Sequence, residues 1–144
     1  MEKTLVLIKP DAIRQNIHLN ILSDFLSVEG VEMKECHIVM PIKKQILNHY
    51  ANDIQRIKNH GGDINKIVQY MVSDCVYVMI FEGENVISKM LQLRGAKTLP
   101  NDCDSGTIRY KYRDYFVQDD HCIQNFVHTS RSHKDAMREI RVWF

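Results

Sequence analysis

The spacing of hydrophobic residues changes several times along the chain, and these changes mark the borders of the predicted elements. Short runs rich in β-branched and aromatic residues predict strands, whereas apolar residues at intervals of three and four predict helices. The run 75–81 is apolar throughout, which is typical of a central strand that is buried on both faces. The predicted strands are 4–8, 31–40, 75–81 and 122–127, and the predicted helices are 16–28, 43–52, 64–71, 84–93 and 132–140.

Two stretches show neither period. Residues 52–60 are polar and precede Gly61 and Gly62, so they are predicted to form an exposed excursion. Residues 95–121 are predicted to be a long irregular loop, and a loop of that length in a compact domain is usually functional or mobile. The order of the elements predicts one domain over 1–144 of the α+β class. Its expected form is a ferredoxin-like sandwich, with a mainly antiparallel four-stranded sheet and helices on one face.

Composition narrows the possible functions without selecting one. The chain has 144 residues, 44% of them hydrophobic and 26% charged, and its formal net charge is +1. Because this net charge is small, the protein has no general attraction to nucleic acid or membranes. An anion-binding site therefore needs locally placed Lys and Arg. No signal peptide or membrane-spanning run is predicted. The four cysteines form no C-x-x-C pair, and three lie in predicted strands, where cysteines are usually buried; we expect a reducing, cytoplasmic setting.

His128 is the strongest candidate for chemistry on position alone. It directly follows the predicted strand 122–127, and Ser132 and Asp135 have the spacing of a helix cap a few residues later. A strand end followed by a helix N-terminus is a common place for a reactive group beside a phosphate. A histidine there can act as a covalent nucleophile if Glu139 orients its ring, although such a residue more often only caps a carbonyl.

Lys9, Arg109 and Tyr50 are weaker candidates when each is taken alone. Lys9 follows the first predicted strand, and Arg109 follows Gly106, whose flexible backbone could let a guanidinium approach an anion. Tyr50 lies on a predicted helix that could border a pocket, but a half-buried tyrosine is more often structural. Position alone therefore leaves the function open.

In combination, these residues lie in segments that resemble the nucleoside diphosphate kinase family. The segments follow one another in the family's order over almost the whole chain, and the Asn-x-x-His-x-Ser segment is the most specific of them. They are Ile8-Lys9-Pro10-Asp11-Ala12, His49-Tyr50, Glu82-Gly83-x-Asn85-Val86, Gly106-Thr107-Ile108-Arg109, Asn125-x-x-His128-x-Ser130-x-Ser132, Ala136-x-x-Glu139-Ile140 and Trp143-Phe144.

The resemblance implies an enzyme that moves the γ-phosphate of a nucleoside triphosphate, such as ATP or GTP, to a nucleoside diphosphate in two steps. His128 would carry the phosphate between the steps, with Glu139 and Ser130 holding its imidazole. Mg²⁺ is the implied cofactor, held mainly by the nucleotide phosphates and not by protein ligands. A homo-oligomer is the implied assembly. The implied nucleotide-binding residues are Lys9 near the ribose and the phosphates, Asn125 near the ribose, Arg109, Thr98 and Tyr50 near the phosphates, and Cys122 beside the base.

The chain departs from the family pattern at the phosphate-binding positions. The family has an arginine eight residues after Gly83, and Leu91 stands there in this chain. Arg94 lies about one helical turn further along and is predicted to contact the same phosphates. The Gly-x-Thr-x-Pro segment of the family is one residue longer here, so Thr98 is assigned by its distance from Pro100.

Extra residues near 52–63 and 110–121 are a further departure from the family pattern. The first insertion hides which side chain stacks on the base, so only Cys122, on the base's other side, can be matched. The second alters a loop that helps subunits of the family to assemble. The number of subunits in the expected homo-oligomer therefore stays open.

A non-enzymatic binding module on the same fold is the main alternative. Segment 109–115 interleaves basic and aromatic residues, as single-stranded nucleic-acid surfaces do, and the loss of the arginine at Leu91 would fit a degraded catalyst. A solvated loop with aromatic anchors is the commoner explanation of such a segment. The retention of His128 and Lys9 favours the enzyme, so neither nucleic acid nor a membrane is expected as a partner. No zinc spacing of His and Cys is present.

Overall fold

The computed structural model describes residues 1–119 and 121–144. The strands within these residues are β1 (Glu2–Ile8), β2 (Val31–Val39), β3 (Val76–Gly83), β4 (Val117–Asp119), β5 (Cys122–Gln124) and β6 (Val127–Thr129). Four of them form a sheet in the order β2–β3–β1–β6, in which every neighbouring pair is antiparallel. The short strands β4 and β5 pair separately as a hairpin. The predicted α+β class with an antiparallel four-stranded sheet is confirmed.

Helices cover both faces of the sheet, so the prediction of helices on one face was wrong. Successive side chains of β1 point to opposite sides, and the last four of them are apolar: Leu5 and Leu7 join one buried cluster, while Val6 and Ile8 join the other. A strand that is apolar on both sides needs two covers. The helices are α1 (Pro10–Arg14), α2 (His18–Leu26), α3 (Lys43–His49), α4 (Ile54–Asn59), α5 (Ile64–Met71), α6 (Val86–Arg94), α7 (Ile108–Lys111) and α8 (His133–Trp143).

The two faces differ in the helices that cover them. On the side of Val6, helices α2 and α6 contribute Phe25 and Met90 to the core. On the side of Leu7, helices α3 and α5 and the end of α8 contribute Ile46, Met71 and Trp143. Because His128 pairs with Leu7 across the sheet, the second face is the one that concerns function.

The prediction of one strand over 122–127 was wrong. The chain leaves the β4–β5 hairpin at Asn125 and Phe126 and then joins β1 as β6. Phe126 has a φ of 74°, a left-handed conformation that interrupts a strand. Asp11 holds this bend, since its Oδ2 accepts the Phe126 N–H at 3.1 Å, and the Phe126 carbonyl accepts the Lys9 N–H at 2.8 Å. His128 therefore lies inside β6 and not after a strand.

The two stretches without a hydrophobic period both contain short elements. Residues 52–60 include α4, which has no buried residue, so the predicted exposure is confirmed. Residues 95–121 include α7, β4 and two 3₁₀ turns at 100–102 and 113–115, so the prediction of one long irregular loop was wrong in part. Elements of three to six residues are too short to show a hydrophobic period, which explains why the sequence predicted no helix or strand in either stretch.

The same two stretches contact each other at the surface. The Asp63 N–H donates to the His121 carbonyl at 3.1 Å, and His121 Nδ1 lies 3.1 Å from the Gly61 carbonyl oxygen. Lys66 Nζ lies 3.7 Å from Asp119 Oδ1. The loop after α4 and the β4–β5 hairpin thus form one continuous wall, which we call the insertion wall.

The cysteines are less uniformly buried than the sequence suggested. Cys103 and Cys122 are buried, Cys75 is half-buried, and Cys36 is exposed. The expectation of burial was wrong for Cys36 because β2 is an edge strand and much of its surface faces solvent. Among the described helices, none combines the length and the apolar character that crossing a membrane requires.

Candidate active site

His128 lies at the middle of β6, directly opposite Leu7 of β1. Opposite residues of an antiparallel pair share a face, so the imidazole is on the side where α3 and α8 pack. Its side chain is 18% exposed. The ring is therefore held within the protein while part of it stays accessible to a ligand.

Glu139 of α8 holds the His128 ring through one nitrogen. A carboxylate oxygen of Glu139 bonds to His128 Nε2, and the same oxygen accepts the Ser130 hydroxyl at 3.2 Å. The Ser130 hydroxyl oxygen in turn accepts the Leu5 N–H at 3.2 Å, which ties this group to β1. With Nε2 occupied, Nδ1 is the ring nitrogen left for chemistry.

Burial and nearby cations keep His128 neutral. Burial lowers its pKa well below the usual range, and the charges of Lys9 and Arg94 lower it further. Burial also raises the pKa of the Glu139 carboxyl to about 7. When Glu139 is ionised it accepts the Nε2 proton, so Nδ1 keeps the lone pair that a nucleophile needs.

Lys9 lies at the end of β1 and is only 7% exposed. Its ammonium donates to Asn125 Oδ1 at 2.9 Å, and the Asn125 amide donates to the Thr98 carbonyl at 3.0 Å. Burial, followed by the charge of Arg109, lowers the pKa of Lys9 to about 7. Burying an ammonium close to another cation is costly unless an anion shares the site.

Arg109 is buried at the start of α7 and spans two loops. Its guanidinium donates to the carbonyls of Asn125 at 3.3 Å, Val127 at 2.9 Å, Lys97 at 3.0 Å and Gly95 at 3.5 Å. These bonds use four of its five N–H groups, so among the described residues it fixes the loop walls and keeps one N–H free. Burial and the charge of Arg94 lower its pKa to about 9.

Arg94 ends α6 and points toward the strand that carries His128. Its Nε donates to the Gly95 carbonyl at 3.0 Å, and a terminal nitrogen lies 3.5 Å from the Thr129 carbonyl, the residue after His128. Leu91, one turn earlier on the same helix, is half-buried. The structure therefore places Arg94 beside the His128 strand, and its phosphate contact stays a prediction.

The other predicted nucleotide-binding residues, Tyr50, Thr98 and Cys122, are less uniformly placed. Tyr50 follows α3, is half-buried, and packs edge-to-face on His49 with ring centres 4.8 Å apart. Thr98 is exposed and offers its carbonyl to Asn125. Cys122 is 4% exposed within the core cluster of Leu5 and Leu7, and burial raises its pKa to about 11. Its contact with a base stays a prediction, because so little of it faces solvent.

His49 is a site residue that the sequence reasoning missed, although it stands next to Tyr50 in a recognised segment. Its ring packs edge-to-face on His128 with centres 4.5 Å apart. His49 is 2% exposed, and its Nδ1 accepts the Trp143 indole N–H at 3.1 Å. The sequence contains both the His49-Tyr50 segment and the Trp143-Phe144 segment, but no local pattern shows that His49 and Trp143 are in contact.

The basic and aromatic segment 109–115 is largely engaged in contacts within the chain. Tyr112 is buried, and its hydroxyl donates to Asp24 at 2.8 Å, while Lys111 forms an ion pair with Asp24 at 2.8 Å. Arg113 lies over the Tyr110 ring at 4.0 Å. Tyr110 and Tyr112 are thus held by contacts within the chain, whereas Tyr115 is 45% exposed.

The family model described as nucleoside diphosphate kinase matches residues 2–144. Curated nucleoside diphosphate kinases from Halalkalibacterium halodurans and Wolbachia pipientis wMel are each 34% identical to the chain over 144 residues. These matches cover 100% of the chain and 89% and 94% of the relatives.

Solved structures agree with these sequence relatives. The crystal structure of an NDP kinase from Pyrobaculum aerophilum superposes with a TM-score of 0.82 and 26% identity, covering 99% of the chain and 95% of that protein. The apo nucleoside diphosphate kinase from Encephalitozoon cuniculi gives a TM-score of 0.84 and 26% identity, with coverages of 100% and 89%.

Proposed function

The chain belongs to the nucleoside diphosphate kinase family and moves phosphate from nucleoside triphosphates to nucleoside diphosphates, and we propose that His128 is the residue that carries it. One observation supports this assignment above the others. Among the described residues, His128 Nε2 is bonded to Glu139 while Nδ1 has no hydrogen-bond partner, and the buried cations Lys9, Arg94 and Arg109 outnumber the buried carboxylates Glu139 and Asp11.

In the proposed reaction, Nδ1 of neutral His128 attacks the γ-phosphorus of the donor. The bond between that phosphorus and the β–γ bridging oxygen breaks, the nucleoside diphosphate leaves, and phosphohistidine remains. A second nucleoside diphosphate then attacks the phosphorus through its terminal oxygen and frees the imidazole. Because the transition state is loose and its charge is spread over oxygens, the protein acts mainly by positioning and charge neutralisation.

The cations beside His128 supply that neutralisation in our proposal. The Lys9 ammonium and the Arg94 guanidinium each retain N–H groups beyond their bonds within the chain, so they can reach phosphate oxygens. Arg109 mainly holds the walls and contributes its remaining N–H. Binding of an anion would stabilise all three charges, since burial lowers the pKa of each.

Phosphotransferases of this family generally need a divalent cation, and we propose that it is Mg²⁺. Among the described residues, the group of ligand-type side chains is His49, His128 and Glu139. Two imidazoles and one carboxylate do not suit Mg²⁺, which prefers oxygen ligands. The nucleotide phosphates would therefore hold the ion, which would supply positive charge to neutralise the phosphate oxygens.

The remaining nucleotide contacts are assigned by position. We propose that Asn125 and Lys9 bind the ribose, that Thr98 and Tyr50 border the phosphates, and that Cys122 lies beside the base. The hydrogen bonds that join Lys9, Asn125 and the Thr98 carbonyl support a shared site. ATP and GTP are the expected donors among several nucleotides.

We also propose a cytoplasmic homo-oligomer. All four cysteines are unpaired, which fits a reducing compartment. The edge strand β2 and the turn after it expose Ile38 (63%), Met40 (63%) and Ile42 (60%), and an edge strand that ends in exposed apolar residues is a surface with which another copy can pair. Light scattering should give a multiple of the 16.9 kDa chain mass, and Ile38→Lys should lower it.

The assignment of His128 is tested by incubating the protein with ATP and Mg²⁺ and measuring its intact mass at neutral pH. We expect a gain of one phosphate that is acid-labile, absent in His128→Ala, and discharged by a second nucleoside diphosphate. His121→Ala is the matched control and should be phosphorylated normally. An adduct that persists in folded His128→Ala would place the phosphate on another residue.

A further inference from the structure

The packing around His49 has a consequence for the proposed phosphohistidine mechanism. We propose that His49 is a positioning residue: Trp143 fixes its proton on Nε2, so that it stays a neutral N–H donor beside His128 and leaves the Glu139 carboxylate to the nucleophile. This inference rests on the proposed role of His128.

The hydrogen bond from Trp143 decides the tautomer of His49. An indole nitrogen can only donate, so His49 Nδ1, 3.1 Å away, must be the acceptor and carries no proton. A neutral imidazole must then have its proton on Nε2. Protonation of Nδ1 would set two donors against each other in a buried place, so the indole N–H also opposes the charged form of His49.

The position of His49 is fixed from two other sides. Arg138 of α8 donates to the carbonyls of Asn48 at 2.8 Å and His49 at 3.2 Å, which ties the end of α3 to α8. The His49 ring meets the rings of Tyr50, His128 and Trp143 edge-to-face. The imidazole therefore has no room to turn and exchange its two nitrogens without disturbing these contacts.

A charged His49 would disturb the reaction because of what faces it. Ring nitrogens of His49 and His128 and a carboxylate oxygen of Glu139 all lie within 4.8 Å of one another. The charged or titratable groups facing His49 are His128 from β6, Glu139 and Arg138 from α8, Lys9 from the end of β1, and the adjacent Tyr50. An imidazolium there would compete with His128 for the single carboxylate. Burial, then His128, lowers the pKa of His49 well below its usual range.

The same hydrogen bond argues against a metal ion at this cluster. A metal-bound histidine usually donates its other N–H to an acceptor. His49 cannot do so toward Trp143, because the indole is itself a donor. Metal binding through Nε2 would require the Trp143 hydrogen bond to break, whereas the donor role requires no rearrangement.

Two variants and one spectroscopic measurement test the proposal. Long-range ¹H–¹⁵N spectra of histidine-labelled protein between pH 5.5 and 8.5, with the His49 signal assigned by its loss in His49→Gln, should show the Nε2–H tautomer without protonation. Trp143→Phe keeps an aromatic ring but removes the donor, so the fixed Nε2–H tautomer should be lost and the pKa of His49 should rise. The acid limb of the pH–rate profile for phosphorylation should then move up by about one pH unit. The rate at low pH should therefore fall about tenfold.

The control is Trp143→Phe in the His49→Gln background, in which the side chain at position 49 cannot titrate. His49→Gln keeps a neutral N–H, so its acid limb should match the wild-type limb, and adding Trp143→Phe should not move it. An Nδ1–H or protonated His49 in the wild type would overturn the proposal. So would an acid-limb shift by Trp143→Phe that persists in the His49→Gln background. The spectra need no activity, so failure of the His128 assignment would be seen separately.

Discussion

The phosphate end and the base end of the candidate site are built in different ways. At the phosphate end, His128, Glu139, Lys9 and Arg109 are buried or nearly so and are fixed by hydrogen bonds between distant parts of the chain. At the other end, the insertion wall is held by exposed contacts such as those of His121 with Gly61 and Asp63. We place this wall at the base end because it continues into β5, which contains Cys122.

The difference reflects what each end must do. Phosphoryl transfer needs charges that are already in position, and burial strengthens their interaction with the phosphates at a cost in folding stability. Holding a base requires little more than a surface, so that end can vary in length without removing the chemistry. A change that acts at only one end of the site should therefore affect either the phosphoryl transfer or the binding of the base.

Lys9→Gln is expected to have the largest effect. It removes a buried ammonium while keeping a group that can bond Asn125, so kcat/KM for all nucleotides should fall by about 10²- to 10³-fold. Steady-state kinetics with several nucleoside diphosphates measure this. Lys111→Gln, which removes an exposed ammonium paired with Asp24, is the matched control and should leave kcat/KM unchanged.

The Lys9→Gln change also tests whether the phosphate end costs stability. Because burial lowers the pKa of Lys9, the unfolded chain holds that proton more tightly, and the melting temperature of Lys9→Gln should not fall. A marked loss of stability would show that Lys9 serves the fold, and the kinetic loss would then have a different cause.

Glu139→Gln should lower the rate of phosphohistidine formation by about 10²-fold, because an amide cannot stabilise positive charge on His128. In the wild type this rate should fall as the pH drops through about 7, where the raised pKa of Glu139 lets the carboxylate take up a proton. Quenched-flow measurements of phosphorylation over a pH series give both rates. The acid limb should be absent in Glu139→Gln.

The basic side of the profile has a separate origin. As the pH rises through about 7, the lowered pKa of Lys9 lets its ammonium lose a proton, so kcat/KM should decline in the free enzyme. Bound phosphates favour the charged form, so kcat should decline at higher pH than kcat/KM. Equal basic limbs for the two parameters would argue that Lys9 does not touch the phosphates.

Arg94→Leu should have an intermediate effect, about tenfold on kcat/KM, since one of several cations is lost. The informative variant is the exchange, in which Leu91→Arg is combined with Arg94→Leu. If Arg94 replaces the family's arginine, the exchange should recover most of the lost activity. No loss in folded Arg94→Leu would show that the missing charge is supplied elsewhere.

His121→Ala should have the smallest effect. It loosens the insertion wall, so KM values for purine and pyrimidine diphosphates should shift by a few-fold while single-turnover phosphorylation stays the same. His60→Ala is the control, because its described hydrogen bond runs to Arg56 within α4. A large fall in the phosphorylation rate would mean that the two ends are coupled.

Much of the phosphate end could be predicted from the sequence because its residues stand in short segments of fixed spacing. His128 lies on β6, Ser130 directly follows that strand, and Glu139 lies on the next helix, which Ser132 caps as predicted by accepting the Asp135 N–H at 3.1 Å. Their closeness in sequence carries over to closeness in space. The sequence did not predict the contacts of His49, because its partners, His128 and Trp143, are about eighty and ninety residues away.

The sequence alone determined the fold class, the central strand and the order of the reactive segments, because hydrophobic period and local capping act over a few residues. Only the tertiary structure decided that helices cover both faces, that the chain bends at Phe126 to carry His128 into β6, and that the loop after α4 touches the β4–β5 hairpin. Each of these depends on pairing or packing between residues far apart in the chain. Such contacts are chosen by the free energy of the whole core, which no local pattern contains.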